Sequence, residues 1–195
     1  MTFNGISWGY VDSEQASPYS YSPQQIINML NTCTSNGGNL LLNFGPAPDG
    51  SVPPEAIEPL RKVGIWLKEN GEAVYGEHTR QHSGRNIWDL NFGGTSVSVD
   101  SAKDNIVYVW QRIWPRSGKI VIGGYFDAPK SVSYLATGEK INFTYEDRRI
   151  TLHDLPTENP DKNVGIPVIR LEFETVPKYL RHSHYPQVHS GLCFD

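Results

Sequence analysis

Cysteine is nearly absent from this chain: Cys33 and Cys193 are the only two in 195 residues. They cannot form a disulfide framework. Long apolar runs are missing as well, none approaching the ~20 residues that a membrane helix requires, so no membrane partner is expected. Basic charge is sparse and scattered, with a net charge of −4 and no Lys/Arg stripe. This excludes the electrostatic footprint of a nucleic-acid binder. The first residues lack the charged and apolar regions of a signal peptide, and the compartment stays undecided because a truncated start would also have lost a leader. Metal-ligand spacing is lacking too. His182, His184, His189 and Cys193 crowd a tail rich in proline, serine and glycine, but they match no zinc pattern. Neither a metal nor another cofactor is expected.

Glycine and proline, in contrast, are plentiful at 18 and 14 residues, as in a loop-rich globular chain of about one or two domains. They punctuate the most informative stretch, residues 36–50, Asn-Gly-Gly-Asn-Leu-Leu-Leu-Asn-Phe-Gly-Pro-Ala-Pro-Asp-Gly. Residues 40–42 form the continuous apolar run of a strand covered on both faces. A helix is expected before it. Ser22 is a candidate N-cap, Pro23 occupies the first helical position and Gln25 completes a capping box. Ile26, Ile27, Leu30 and Cys33 make its apolar stripe, and Gly37-Gly38 its end. After the Pro-Asp-Gly turn, Pro53 and Pro54 introduce a second helix with Ile57, Leu60, Val63, Trp66 and Leu67 at helical spacing. Pro59 belongs near its first turn or kinks it, and Gly71 stops it. Only one strand of a parallel β/α arrangement is clear in the first eighty residues. The chain is thus expected to begin inside a domain whose larger part lies upstream.

From about residue 85 the pattern changes to short alternating strands: 95–99, 106–113, 119–123, 131–135, 140–145, 149–152 and 168–173. Their spacing predicts an antiparallel β-sandwich. Residues 154–165 read as a longer loop. The expected division is therefore 1–80, 85–175 and an irregular tail over 176–195. Tyr108, Trp110, Trp114, Tyr125 and Phe126 admit two uses, a carbohydrate platform or core packing, and packing is favoured. Because Tyr108 and Trp110 alternate with Val107 and Val109, one pair must face inward. Trp110 or Trp114 could also anchor the first unit.

Ser7-Trp8-Gly9-Tyr10, then residues 35–50, then Glu69-Asn-Gly-Glu-Ala-Val-Tyr-Gly76, continued by Ile106-Val-Tyr-Val and Lys119-Ile-Val-Ile, form an ordered series. It resembles the C-terminal part of the family 29 glycoside hydrolases, the α-L-fucosidases, over about residues 1–175. The resemblance implies that residues 1–80 are the last β/α units of a (β/α)8-type barrel and that the sandwich packs beside them. It implies retaining hydrolysis of terminal α-linked L-fucose by two carboxylates about 5 Å apart. Both would lie upstream of Met1, so no catalytic residue is assigned and the isolated chain is expected to be inactive. Asp12, Glu14 and Asp49 are poor substitutes: the first two fall in a polar loop, and Asp49 sits where an Asp side chain sets a turn.

One wall of the sugar pocket does carry over. Trp8 matches the aromatic residue that faces fucose in the family, at the C-terminal end of a barrel strand where such sites lie. Fucose is a 6-deoxy sugar whose apolar face stacks on an aromatic plane. Tyr10 and Asn43 are further substrate-binding candidates. The expected partners are a fucosylated glycan or small fucoside. Association with itself or with the missing barrel half is also anticipated, because a severed barrel leaves an open edge. Two alternatives accompany this reading: a non-catalytic carbohydrate-binding sandwich, and an assembly piece that completes a barrel from another chain.

Overall fold

Local signals start both helices of the chain, whose computed structural model describes residues 2–3, 7–12, 14, 21–35, 38–75, 78–79, 98–100 and 105–178. Helix α1 spans Pro23–Ser35. Its capping box is formed reciprocally: the Gln25 amide donates to Ser22 Oγ at 3.2 Å, and the Ser22 amide to Gln25 Oε1 at 2.8 Å. At the other end the Gly38 amide reaches the Cys33 carbonyl. Helix α2 spans Pro54–Asn70, with Pro59 inside it, and passes into a 3-10 turn, Gly71–Ala73. Gly71 itself stays right-handed. Ala56, Val63, Trp66 and Asn70 are buried, whereas Ile57 lies on the exposed side. The buried stripe is therefore rotated away from one of the five expected positions.

Residues 38–47 form no regular strand. A single parallel bridge pairs Asn43 with Thr2, and Leu41 is 64% exposed. A parallel strand is built from hydrogen bonds to neighbours distant in sequence. Among the described residues Asn43 meets only Thr2 in this way, so the run does not become the doubly covered strand its composition predicts.

The remainder forms two antiparallel sheets. The strands are β1 His78–Thr79, β2 Ser98–Asp100, β3 Ile106–Trp110, β4 Ile120–Gly123, β5 Ser131–Tyr134, β6 Phe143–Glu146, β7 Arg149–Leu152 and β8 Val168–Glu172. One sheet has the order β1-β2-β3-β8-β5, the other β4-β7-β6. In the first, Tyr108 faces Arg170 across the β3-β8 ladder; in the second, Ile122 faces Ile150 across β4-β7. His78 belongs to the first sheet through β1, a strand of two residues that is too short for an alternating pattern to reveal.

Alternation along the strands divides their side chains between two cores. Val107, Val109, Ile169 and Leu171 meet Ile120, Ile122, Ile150 and Leu152 between the sheets. The opposite face of β3 presents Ile106, Tyr108 and Trp110 to Phe3, Ile26, Ile27, Val63 and Trp66. Every residue of β3 is consequently buried. The Trp66 and Trp110 rings are 5.0 Å apart, so Trp110 is an anchor for the helices. Trp114 packs against the inter-sheet core and donates to the Pro156 carbonyl.

Polar contacts fix the same junction. Trp66 Nε1 donates to the Ile166 carbonyl at 2.8 Å, and Asn163 Nδ2 to that of Lys62 at 2.8 Å. The loop bearing both partners is shaped by the Asp161 carboxylate, which accepts the amides of Asn163, Val164 and Ile166. Tyr108 donates to Glu72 Oε1 at 2.6 Å, and Arg170 lies between Glu72 and Glu172. Arg112, with its pKa pulled down by burial, donates to Asn31 Oδ1 of α1. Truncating a buried tryptophan typically costs about 3–5 kcal/mol, so Trp66 alone contributes a large part of a marginal stability.

Candidate functional site

The three substrate-binding candidates converge. Asn43 Nδ2 donates to the Trp8 carbonyl at 2.9 Å, across 35 positions of sequence. The Phe3 amide donates to the Asn43 carbonyl at 2.8 Å, tying the same residue to the start of the chain. Two residues on, Gly45 is buried directly against Gly9 and Tyr10. The Gly9 amide donates to Ser7 Oγ at 3.2 Å, a two-residue turn beside Trp8. The outcome is a short segment pinned through its backbone while its rings stay in solvent: Trp8 is 62% exposed and Tyr10 41%. Asn43 is thus bonded to Trp8 rather than to the turn that follows it. Its pairing was not legible because nothing local marks a contact over that separation.

The nearby acids serve the backbone. Asp12 accepts the Glu14 amide at 3.0 Å. Asp49 Oδ1 accepts Ser51 Oγ at 2.7 Å and the Ser51 amide at 3.0 Å. The hydroxyl bond and then the amide bond hold its pKa below the usual carboxylate value. Asp49 thereby sets the turn, as the Pro-Asp-Gly pattern predicts.

A cavity of ≈ 330 Å³ lies elsewhere, where the end of α2 meets the β5 turn and the Asp161 loop, lined among others by Glu69, Asn70, Tyr134, Glu139 and Asn163. It includes none of Trp8, Tyr10 or Asn43. Size alone does not make it the site of chemistry, since Asp161 on its wall is occupied by main-chain amides. The described residues hold no cluster of three or more metal-ligating side chains. No helix among them is long and apolar enough to cross a membrane. The tail histidines and Cys193 lie outside the described residues. In the sheets, Tyr108, Trp110 and Tyr125 are buried, which leaves Phe126, with Arg148 4.6 Å over its ring, as the exposed aromatic of that set.

A family model described as alpha-L-fucosidase matches residues 1–72, the stretch that carries Trp8, Tyr10 and Asn43. Plasma alpha-L-fucosidase of Pongo abelii is 32% identical over 171 residues, a match covering 80% of this chain and 34% of that protein. The chain belongs to the α-L-fucosidase family, glycoside hydrolase family 29. Solved structures agree with this fucosidase assignment. An alpha-L-fucosidase isoenzyme from Paenibacillus thiaminolyticus superposes with a TM-score of 0.71 at 26% identity, covering 90% of this chain and 39% of that one. An alpha-L-fucosidase from Vibrio sp. strain EJY3 gives 0.72 at 26% identity, covering 92% and 30%. The likeness extends beyond residue 72 into the two sheets. The chain spans about a third of the length of the curated relatives it matches.

Proposed function

We propose that the chain is the C-terminal part of a retaining α-L-fucosidase, an enzyme that hydrolyses terminal α-linked L-fucose from glycans. On this reading residues 1–80 are the closing β/α units of the catalytic barrel, residues 85–175 the accompanying β-sandwich and residues 176–195 a tail. Trp8 forms one wall of the fucose pocket, with Tyr10 beside it. The observation that carries the reading is the pinned backbone of residues 8–10 with two exposed rings, inside the stretch matched by the fucosidase family model. An exposed indole held in a fixed place suits the apolar face of a 6-deoxy sugar, because stacking needs a pre-positioned plane.

The nucleophile and the acid/base lie outside the chain on this reading. Asp12 and Asp49 support it, since both carboxylates bond neighbouring main-chain amides in turns. The isolated chain is therefore expected to give no turnover of an aryl α-L-fucoside above a buffer blank. Turnover that disappears in Trp8→Ala would overturn this expectation.

Assembly with a second chain is a further part of the proposal, either another copy or a polypeptide supplying the rest of a barrel. It is favoured by the exposed apolar side chain of Leu41 near the Thr2–Asn43 bridge. A sandwich acting alone as a carbohydrate-binding module finds less support, because Tyr108, Trp110, Tyr125, Tyr134 and Phe173 are buried.

A further inference from the structure

We infer that Gly45 and Asn43 are positioning residues, which hold the Trp8-Gly9-Tyr10 segment where its rings can meet a sugar; the inference rests on the pocket role proposed for Trp8. Asn43 then acts through the Trp8 carbonyl rather than by touching substrate.

The close approach at Gly45 is the decisive observation. A Cβ at this position would stand 2.2 Å from the Gly9 carbonyl carbon, 2.2 Å from the Tyr10 nitrogen and 2.4 Å from the Gly9 oxygen. All three are main-chain atoms, which cannot swing aside as the end of a long side chain can. Any residue larger than glycine must displace the 8–10 segment or the chain around residue 45 itself. Asn43 completes the hold from the same piece of chain. Its amide nitrogen donates to the Trp8 carbonyl, while its own carbonyl is tied to the Phe3 amide. Gly45 thus sets how near the segment lies, and Asn43 sets its position along the chain. Neither group needs the indole ring, which stays exposed for a ligand. Because the close approach at Gly45 and the bond from Asn43 both meet main-chain atoms, the placing of the rings rests on the backbone.

The test uses the full chain, ¹⁵N-labelled, with Trp8 and Tyr10 resonances assigned, and L-fucose as the probe. Variants are Gly45→Ala, Asn43→Ala and Asn43→Asp, the last nearly isosteric but without the N–H donor. The expected result is displaced Trp8, Gly9 and Tyr10 amide resonances in all three, with those of Ile120–Gly123 and Arg149–Leu152 unchanged. L-fucose affinity should fall about tenfold, as for Trp8→Ala. Unmoved amides in Asn43→Asp and Gly45→Ala would overturn the inference, as would moved amides with unchanged affinity. Should Gly45→Ala fail to fold, the two Asn43 variants decide alone. If wild type shows no L-fucose shift at Trp8, the pocket role fails, and with it the inference, even where the amides move.

Discussion

Tyr134 shows how one side chain can carry two obligations. Its ring packs near Trp114, with centroids 6.3 Å apart, and its buried hydroxyl has no hydrogen-bond partner among the described residues. Burial first, and the charge of Glu139 second, push its pKa up from 10.0 to about 12. Because the folded value exceeds the unfolded one, the preference for a neutral phenol stabilises the fold fully below about pH 10. That contribution is lost as pH rises through about 12. Denaturant midpoints followed across this alkaline window should fall less steeply in Tyr134→Phe than in wild type, and equal slopes would contradict the assignment. At this scale the sequence and its family resemblance named candidates rather than a site. Trp8 and Tyr10 stand out as aromatics around a glycine, and Asp49 as a turn residue. The link from Asn43 to Trp8 spans 35 positions and the glycine at 45 is explained only by a backbone passing beside it. Periodicity does not reveal such through-space demands.

Elements were legible where their causes are local. The box joining Ser22 and Gln25 needs only four consecutive residues and formed as the Ser-Pro-Gln-Gln pattern requires. Ser22→Ala should therefore cost about 1 kcal/mol in urea denaturation, and a change indistinguishable from zero would show the cap to be idle. Several strands of the two sheets were likewise readable, since inward and outward positions alternate over four residues in β4, β5 and β6. β6 alternates half-buried with exposed positions, and β4 buried with exposed. The segment at residues 38–47 behaved otherwise. Its composition suits a strand covered on both faces, but composition does not supply the neighbours from which a parallel strand draws its bonds. A pattern of burial therefore identified what the segment could become, not what it forms among these residues.

For the whole molecule the consequential surface lies around Leu41. The exposed Leu41 side chain, near the parallel bridge of Asn43 to Thr2, is the apolar surface on which the proposed assembly would act. Sedimentation velocity should show the wild-type chain larger than its 21.9 kDa monomer, with Leu41→Lys shifting it toward that mass. A compact wild-type monomer would overturn this expectation. Contacts between the helices and the sheets were only partly foreseen. Trp110 was a candidate anchor by its place in an alternating strand, whereas Trp66 with Ile166 and Tyr108 with Glu72 join positions far apart in sequence.

β3, buried on both faces, leaves no slip plane between the helices and the sheets. Val107 and Val109 grip one core while Tyr108 and Trp110 grip the other. Heat that loosens either side strips cover from the other, so both should melt in one cooperative transition. The segment with the exposed indole, anchored to this block by Phe3 and Asn43, would then keep its pose until that common melting point.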